Sequence, residues 1–407
     1  MRRRGDPGDR RFARFRAVLA GATLAMVGLS WPLWAGGGDF PRVPFVAGWP
    51  EPSGRLAGSL AVILAGALGL VVLGRGGRWD WLTSLIALGW LIPGDQGRLQ
   101  PWVQQYVIIA LAVLLGRKAQ VLTLARWYAI VLYAASGLSK LDAAFVDELG
   151  ATFVATLGRL VGVDPLGWSP GVRTAIILAL PAAELLIAGA LAVPRLRRWG
   201  LAGSVAQHLA TIAVLGPWGL DHSAIVLAWN AAFLVENVII FGGPPDEPAG
   251  HPAAPRVTAV LVVALVVGER WGWVDSWPAH ALYASHAERA ALLWPEAEGR
   301  ALPPAARRHL GPGDADGYCR LDLTGWSRAE RGVPVYPQNR VACGVAEALV
   351  VRFAAANGPP ARLVLWGRAG LGRRPARGAV ECVGLAALRR RGDRSWINAH
   401  PPAAPAP

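Results

Sequence analysis

The chain has 407 residues, 53% of them hydrophobic against 17% charged, with a net charge of +14 at pH 7. A mean hydropathy of +0.35 is too apolar for one ordinary soluble core. The basic balance does not point to nucleic acid, because the arginines flank long apolar blocks, which is how membrane proteins are oriented; the implied partner is membrane lipid.

In chain order, residues 1–16 carry seven arginines and two aspartates and read as a basic cytoplasmic N-terminus. Residues 17–37 form the first apolar block. A basic start before an apolar stretch is also the pattern of a secretory signal. This block, however, is long, ends in Trp31-Pro32-Leu33-Trp34 and lacks a small-x-small cleavage site, so it reads as an uncleaved first helix. Eight further blocks follow, at 56–74, 79–93, 102–116, 119–138, 172–193, 200–216, 223–242 and 257–271. Those at 79–93 and 102–116 are short for a span of ~20 residues and read as tilted helices or a re-entrant pair. Tryptophans such as Trp31, Trp79, Trp199 and Trp271 lie near block ends, where an indole suits the headgroup layer.

The charges between blocks orient them. With the N-terminus inside, inner loops hold Arg75 and Arg78, then Arg117 and Lys118, then Arg195, Arg197 and Arg198; outer arginines such as Arg42 and Arg98 are usually beside Asp or Glu. The last inner loop, 243–256, departs from the rule, being Pro-rich and acidic. The predicted fold is an all-α polytopic membrane bundle of about nine transmembrane helices over 17–274, in a plasma or inner membrane. A small α+β extramembrane domain over 275–399 lies outside the cytoplasm, and residues 400–407 form a Pro/Ala-rich disordered tail.

Within that domain, 349–353 and Arg362–Trp366 read as β-like runs and 339–352 as a helix. Cys319, Cys343 and Cys382 all lie there. One disulfide with a thiol left over, or simple burial of all three, are equally open, and no metal-ligand spacing is present.

Ionisable side chains inside the membrane are costly and are functional candidates by default. Lys140 is one of only two lysines beside thirty-nine arginines. A desolvated ammonium can lose its proton whereas a guanidinium in practice cannot, so a lysine kept here suits a base. The competing role is a snorkelling lysine, or one paired with Asp142. Glu184 and His208 lie mid-block on consecutive antiparallel helices, about 11 and 10 residues from the loop joining them, hence at similar depth. A carboxylate–imidazole bond between them would fix a histidine tautomer for proton transfer; a structural pair holding two helices together is the alternative. Asn230, Glu236 and Asn237 give one helix a polar stripe expected to face the bundle interior.

The stretch Tyr133-Ala-Ala-Ser-Gly-Leu-Ser-Lys140-Leu-Asp142 resembles the Gly-x-x-Lys-Leu-Asp segment of the vitamin K-dependent gamma-carboxylases and their bacterial relatives, the horizontally transferred transmembrane domain family. Glu184, the Arg-rich turn and His208 follow in the same order, and Asp95-Gln-x-Arg98-Leu-Gln-Pro-Trp resembles a motif of the bacterial branch. The resemblance covers roughly residues 15–290. It implies a membrane enzyme in which Lys140 is the base on a lipophilic, vitamin K-like quinol, Glu184 and His208 are catalytic, and Asp95, Arg98 and Asp142 bind the cofactor. Residues 94–102 hold no histidine where the carboxylases have one, and the tail is smaller than theirs. The resemblance therefore favours the lysine–quinol chemistry over carboxylation of a peptide. Two other function classes compete. One is a transporter or solute-binding protein using Glu184, His208 and Glu236; the other is a scaffold acting through the tail.

Overall fold

Among the residues that the computed structural model describes (7–50, 54–243, 253–368 and 379–402), every apolar block is helical. The first 23-residue helix, α1 (Pro7–Leu29), begins ten residues before its apolar block and takes up most of the expected N-terminal arm; Phe12 and Phe15 are buried. It ends early because Pro32 cannot continue it. A short α2 (Trp31–Ala35) follows with Pro32 in its first turn, where a missing N–H costs nothing, and closes on Gly36 at φ 81°. Then come α3 (Gly54–Val72), α4 (Arg78–Leu91), α5 (Pro101–Leu115) and α6 (Lys118–Ser139). After α6 lie α7 (Ala143–Asp147) and α8 (Leu149–Leu160), in a stretch expected to be loop. The remaining helices of the bundle are α9 (Pro170–Ala192), α10 (Arg197–Leu215), α11 (Ala224–Phe241) and α12 (Ala254–Arg270). Most of the last inner loop, the first six residues and residues 403–407 of the expected tail lie outside the described residues.

Five of these helices, α1, α3, α6, α9 and α11, are long and apolar enough to cross a membrane. Large apolar side chains stand on the outside of the bundle, among them Val62, Ile86, Leu115, Leu186 and Val260, each more than half exposed. α6 is the central helix: 72% of its apolar window is buried, and no other such window exceeds 39%. It packs against α9, α11 and α12. Gly137 sets its approach to α9, since a Cβ there would come within 3.0 Å of Leu185 and the Pro181 carbonyl. Pro181, lying inside α9, leaves the Ile177 carbonyl without its helical donor at that crossing.

The C-terminal region carries five antiparallel strands, β1 (Arg289–Pro295), β2 (Leu310–Gly313), β3 (Tyr318–Leu321), β4 (Arg362–Trp366) and β5 (Val380–Val383), in the order β2-β3-β1-β4-β5. Four helices accompany the sheet: α13 (Pro304–Arg307), α14 (Leu323–Arg331), α15 (Asn339–Phe353) and α16 (Gly384–Gly392). The β-like run 349–353 is the end of α15; Val345 and Leu349, four residues apart, both sit in the core while Val351 faces out. Phe40 and Val43, from the connection after α2, are buried in the same core as Trp294, Trp326 and Leu363. The tail is therefore packed onto the bundle and borrows two of its core residues from it. Its three cysteines are free and buried.

Candidate functional site

Lys140 ends α6, three residues past Gly137, where α6 lies against α9. Its Nζ donates to both Glu184 oxygens at 2.8 Å and to Ser136 Oγ at 2.6 Å. The two side chains are 5% and 12% exposed, so the pair is shielded from water. Gln207 Nε2 on α10 donates to Glu184 Oε1 at 3.0 Å. The lysine is thus paired, but with Glu184 rather than with Asp142.

His208 takes a different partner from the expected one. No hydrogen bond joins it to Glu184 among the described residues. The carboxylate is occupied by Lys140 and Gln207, one helical position earlier on α10, while His208 faces α6 and α11. Its Nε2 lies 2.7 Å from Tyr133 OH and its Nδ1 2.9 Å from Asn230 Oδ1. Asn230 Nδ2 donates to the Val226 carbonyl, which fixes the amide oxygen toward the imidazole. Nδ1 therefore carries the proton and Nε2 is free to accept one from Tyr133. Asn237 Nδ2 donates to Tyr133 OH at 3.1 Å and to Ser204 Oγ at 3.0 Å, and Ser204 Oγ lies 2.7 Å from the same phenol. These bonds form one buried relay across α6, α10 and α11. The polar stripe of α11 does face the interior, with Asn230, Glu236 and Asn237 all buried; Glu236 accepts from Gln105.

Both groups open on one cavity of about 650 Å³. Its polar wall carries Lys140, Glu184, Gln207, His208, Asn230 and Tyr133, and its other walls are chiefly aliphatic and aromatic. Gln207 Oε1 on that wall has no hydrogen-bond partner among the described residues. Phe153, Val154 and Leu157 of α8 line it too. That helix escapes a search for spans because it is only 12 residues long; its apolar positions 149, 153, 154, 157 and 160 carry the signal.

Asp142 sits beside the site and shapes it. Its Oδ1 caps α7 by accepting from Phe145 N at 2.7 Å, and Phe145 lines the cavity. Its Oδ2 accepts from Arg270 at 2.7 Å and lies 2.7 Å from His286 Nδ1. Burial pushes this carboxyl up, but hydrogen bonds from His286, the Phe145 amide and Arg270 outweigh it and hold it down at about 2.

Asp95 and Arg98 are elsewhere. Arg98 is buried beneath α2 and α4, donating to the Leu33 carbonyl at 2.9 Å and the Leu91 carbonyl at 2.5 Å. Asp95 accepts from Arg331 of α14, and neighbouring Gln96 bonds Arg340 at 2.8 Å and the Asn398 carbonyl at 2.7 Å. Neither residue lines the cavity. This turn joins α4 to α5 and holds the C-terminal region onto the bundle, so Asp95 and Arg98, expected to bind the cofactor, stand apart from the cavity and from Lys140. Their charge invited a ligand; their actual partners, from 236 residues away in the case of Asp95, are invisible to local sequence reading.

No protein-family model, curated protein or solved structure matches this chain.

Proposed function

We propose that the chain is a membrane enzyme in which Lys140 acts as a base on a hydroxyl of a lipophilic, quinol-like molecule held in the 650 Å³ cavity. The observation that carries this reading is the shielded Lys140–Glu184 pair on the polar wall of a chamber whose other walls are chiefly apolar. In low dielectric the proton can pass from Nζ to the Glu184 carboxylate, leaving a neutral amine whose lone pair takes a hydroxyl proton. The Tyr133–His208 relay holds a second proton within the wall. The residues fit a ring with polar edges and an apolar body. A bound quinol would supply two hydroxyl protons and two electrons.

The resemblance to the vitamin K-dependent carboxylases assigns Lys140 the same part, and coupling to carboxylation is the extension it implies. We take the bundle as nine crossings, with α4, α5, α10 and α12 completing the five that are both long and apolar enough. The short α4 and α5 would form a hairpin under the C-terminal domain, with the N-terminus cytoplasmic and that domain outside, in a plasma or inner membrane whose lipid covers the exposed apolar side chains. Native mass spectrometry with lipid extraction tests the assignment. A quinone retained by the wild type and weakened in folded Lys140→Ala supports it; none on either folded protein overturns it.

A second reading is favoured by Glu236, a carboxyl buried in α11 whose bonded partner, Gln105, is neutral. Such a group can carry a proton in a transporter. Uptake driven by a pH gradient, needing Glu184 and Glu236 but tolerating Lys140→Ala, would select that reading.

A further inference from the structure

Residues 276–286, between α12 and the sheet, pass over the Lys140 end of the cavity, where Leu282 and Tyr283 form part of its wall. The backbone there is held in place against its own preference: His280 and Tyr283 adopt left-handed φ values of 56° and 58°, which side-chain-bearing residues rarely adopt. At the end of this strap stands His286, whose side chain is fully buried.

His286 meets a carboxylate at each ring nitrogen. Nδ1 lies 2.7 Å from Asp142 Oδ2 and Nε2 lies 2.8 Å from Glu269 Oε2. Carboxylates only accept, so both bonds form only when both nitrogens carry protons. The other charges around it are Arg270, which donates to Asp142 and to the Ser139 carbonyl at 3.2 Å, and Arg368, which donates to the Glu269 carbonyl. Ser276 Oγ donates to Glu269 Oε1 at 2.9 Å. Arg270 thus grips the residue preceding Lys140, and Asp142 caps the helix carrying Phe145.

We propose that His286 is a positioning residue: as an imidazolium it ties the 276–286 strap to the Lys140 turn and makes the C-terminal region part of the cavity. Removing its charge takes the proton from one ring nitrogen, so one of the two carboxylate bonds is lost and that carboxylate faces a bare nitrogen lone pair; the strap and α7 loosen with it. The burial of the ring pushes its basicity down, but the bonds to Asp142 and Glu269 and the Glu269 charge outweigh that and raise it above the ordinary histidine value. The imidazolium's contribution to the tie is therefore fully present at pH 6 and is lost as pH rises through the raised value. The tie itself rests on geometry; its effect on ligand binding rests on the quinol reading above.

Hydrogen–deuterium exchange of the full-length protein in detergent, corrected for intrinsic rates and followed from pH 6 to 9, tests the tie. Wild type should protect residues 143–147 and 276–286 at pH 6 and lose that protection as pH rises. His286→Gln should exchange at least tenfold faster at pH 6 and show no such pH step. Equal protection in both proteins overturns the inference. Should His286→Gln fail to fold, 15N-histidine spectra of the wild type decide instead: a buried ring with both nitrogens protonated at pH 7 supports the tie, and a neutral ring overturns it.

Quenching of tryptophan emission by 2-methyl-1,4-naphthoquinone separates the two readings. A wild type that binds the probe, with His286→Gln at least tenfold weaker, supports both. Lost protection in His286→Gln with no probe bound by either protein leaves the tie standing and counts against the quinol. Equal probe binding with unchanged protection overturns the tie alone.

Discussion

The Lys140 ammonium is held by both oxygens of Glu184, each at 2.8 Å, across a helix crossing where a Cβ at Gly137 would come within 3.0 Å of Leu185 and the Pro181 carbonyl. Truncating one partner of such a shielded pair strands the other charge, which costs about 3–5 kcal/mol, whereas replacing both by apolar side chains of similar volume is often neutral. Lys140→Met and Glu184→Met should each lower the unfolding midpoint in a fixed detergent, and the double variant should recover most of the loss. All three should lack quinol-dependent activity. A double variant destabilised by the sum of the singles would show that the pair is not coupled.

Gly137 makes a second test of the same crossing. An added methyl needs Leu185 and the Pro181 carbonyl to give by a few tenths of an ångström, and backbone yields less readily than side chain. Gly137→Ala should therefore be tolerated at a cost of about 1 kcal/mol, while Gly137→Leu should cost about 3 kcal/mol and separate the two helices. The decisive readout is crosslinking between one cysteine placed on α6 and one on α9, which should fall in the leucine variant and persist in the alanine one.

Much of this is legible in the amino-acid sequence. The apolar blocks gave the helices, and Lys140, Glu184 and His208 stood out because charge is scarce among them; all three reach one cavity. Their pairing was not legible. Equal depth on neighbouring helices brings Glu184 and His208 to one level, yet the direction each faces around α10 decides the partner, and Gln207 rather than His208 points at Glu184. Tyr133 and Ser204 looked like ordinary helix residues because a hydroxyl's role depends on what lies across the interface. His286 lay beyond the last apolar block, where its contacts with residues 144 and 17 positions away leave no local pattern.

Tyr133 is the joint between His208 and the Ser204–Asn237 pair. Tyr133→Phe keeps the ring and removes one hydroxyl, leaving a buried imidazole nitrogen without its donor. The cost should be about 1–3 kcal/mol by chemical denaturation. If the relay handles a proton, activity should also fall and its pH profile should shift, whereas an inert scaffold would lose stability alone.

Acid should weaken the strap as base does, through a different group. Asp142 titrates at about 2 in the folded protein, below its ordinary 3.8. The stability it contributes is present above the ordinary value and is lost as pH falls through about 2. His286 contributes in the opposite sense, being fully effective at low pH and failing as pH rises through its raised value. Exchange protection of residues 276–286 should therefore be greatest between these limits. Asp142→Asn should shrink the acid limb, with Glu269 supplying what remains, a result readable by exchange at pH 3 against pH 5.

The turn joining α4 and α5 makes the last prediction, because it separates docking from cofactor binding. Asp95 pairs with Arg331 where both side chains are nearly buried, and Gln96 bonds Arg340 and the Asn398 carbonyl. Glu330 adds bonds to the amides of Asp39 and Phe40, at 2.9 and 2.8 Å, next to the buried Phe40 shared with the tail's core. Asp95→Ala leaves the Arg331 guanidinium buried without its carboxylate, at a cost of about 3–5 kcal/mol falling on the interface rather than on the cavity. Limited proteolysis should then cut between α12 and β1 faster than in the wild type. Naphthoquinone quenching should weaken only as far as the strap loosens, less than in Lys140→Ala. A loss of probe binding as large as that of Lys140→Ala, with proteolysis unchanged, would return Asp95 to the ligand site and overturn the docking role.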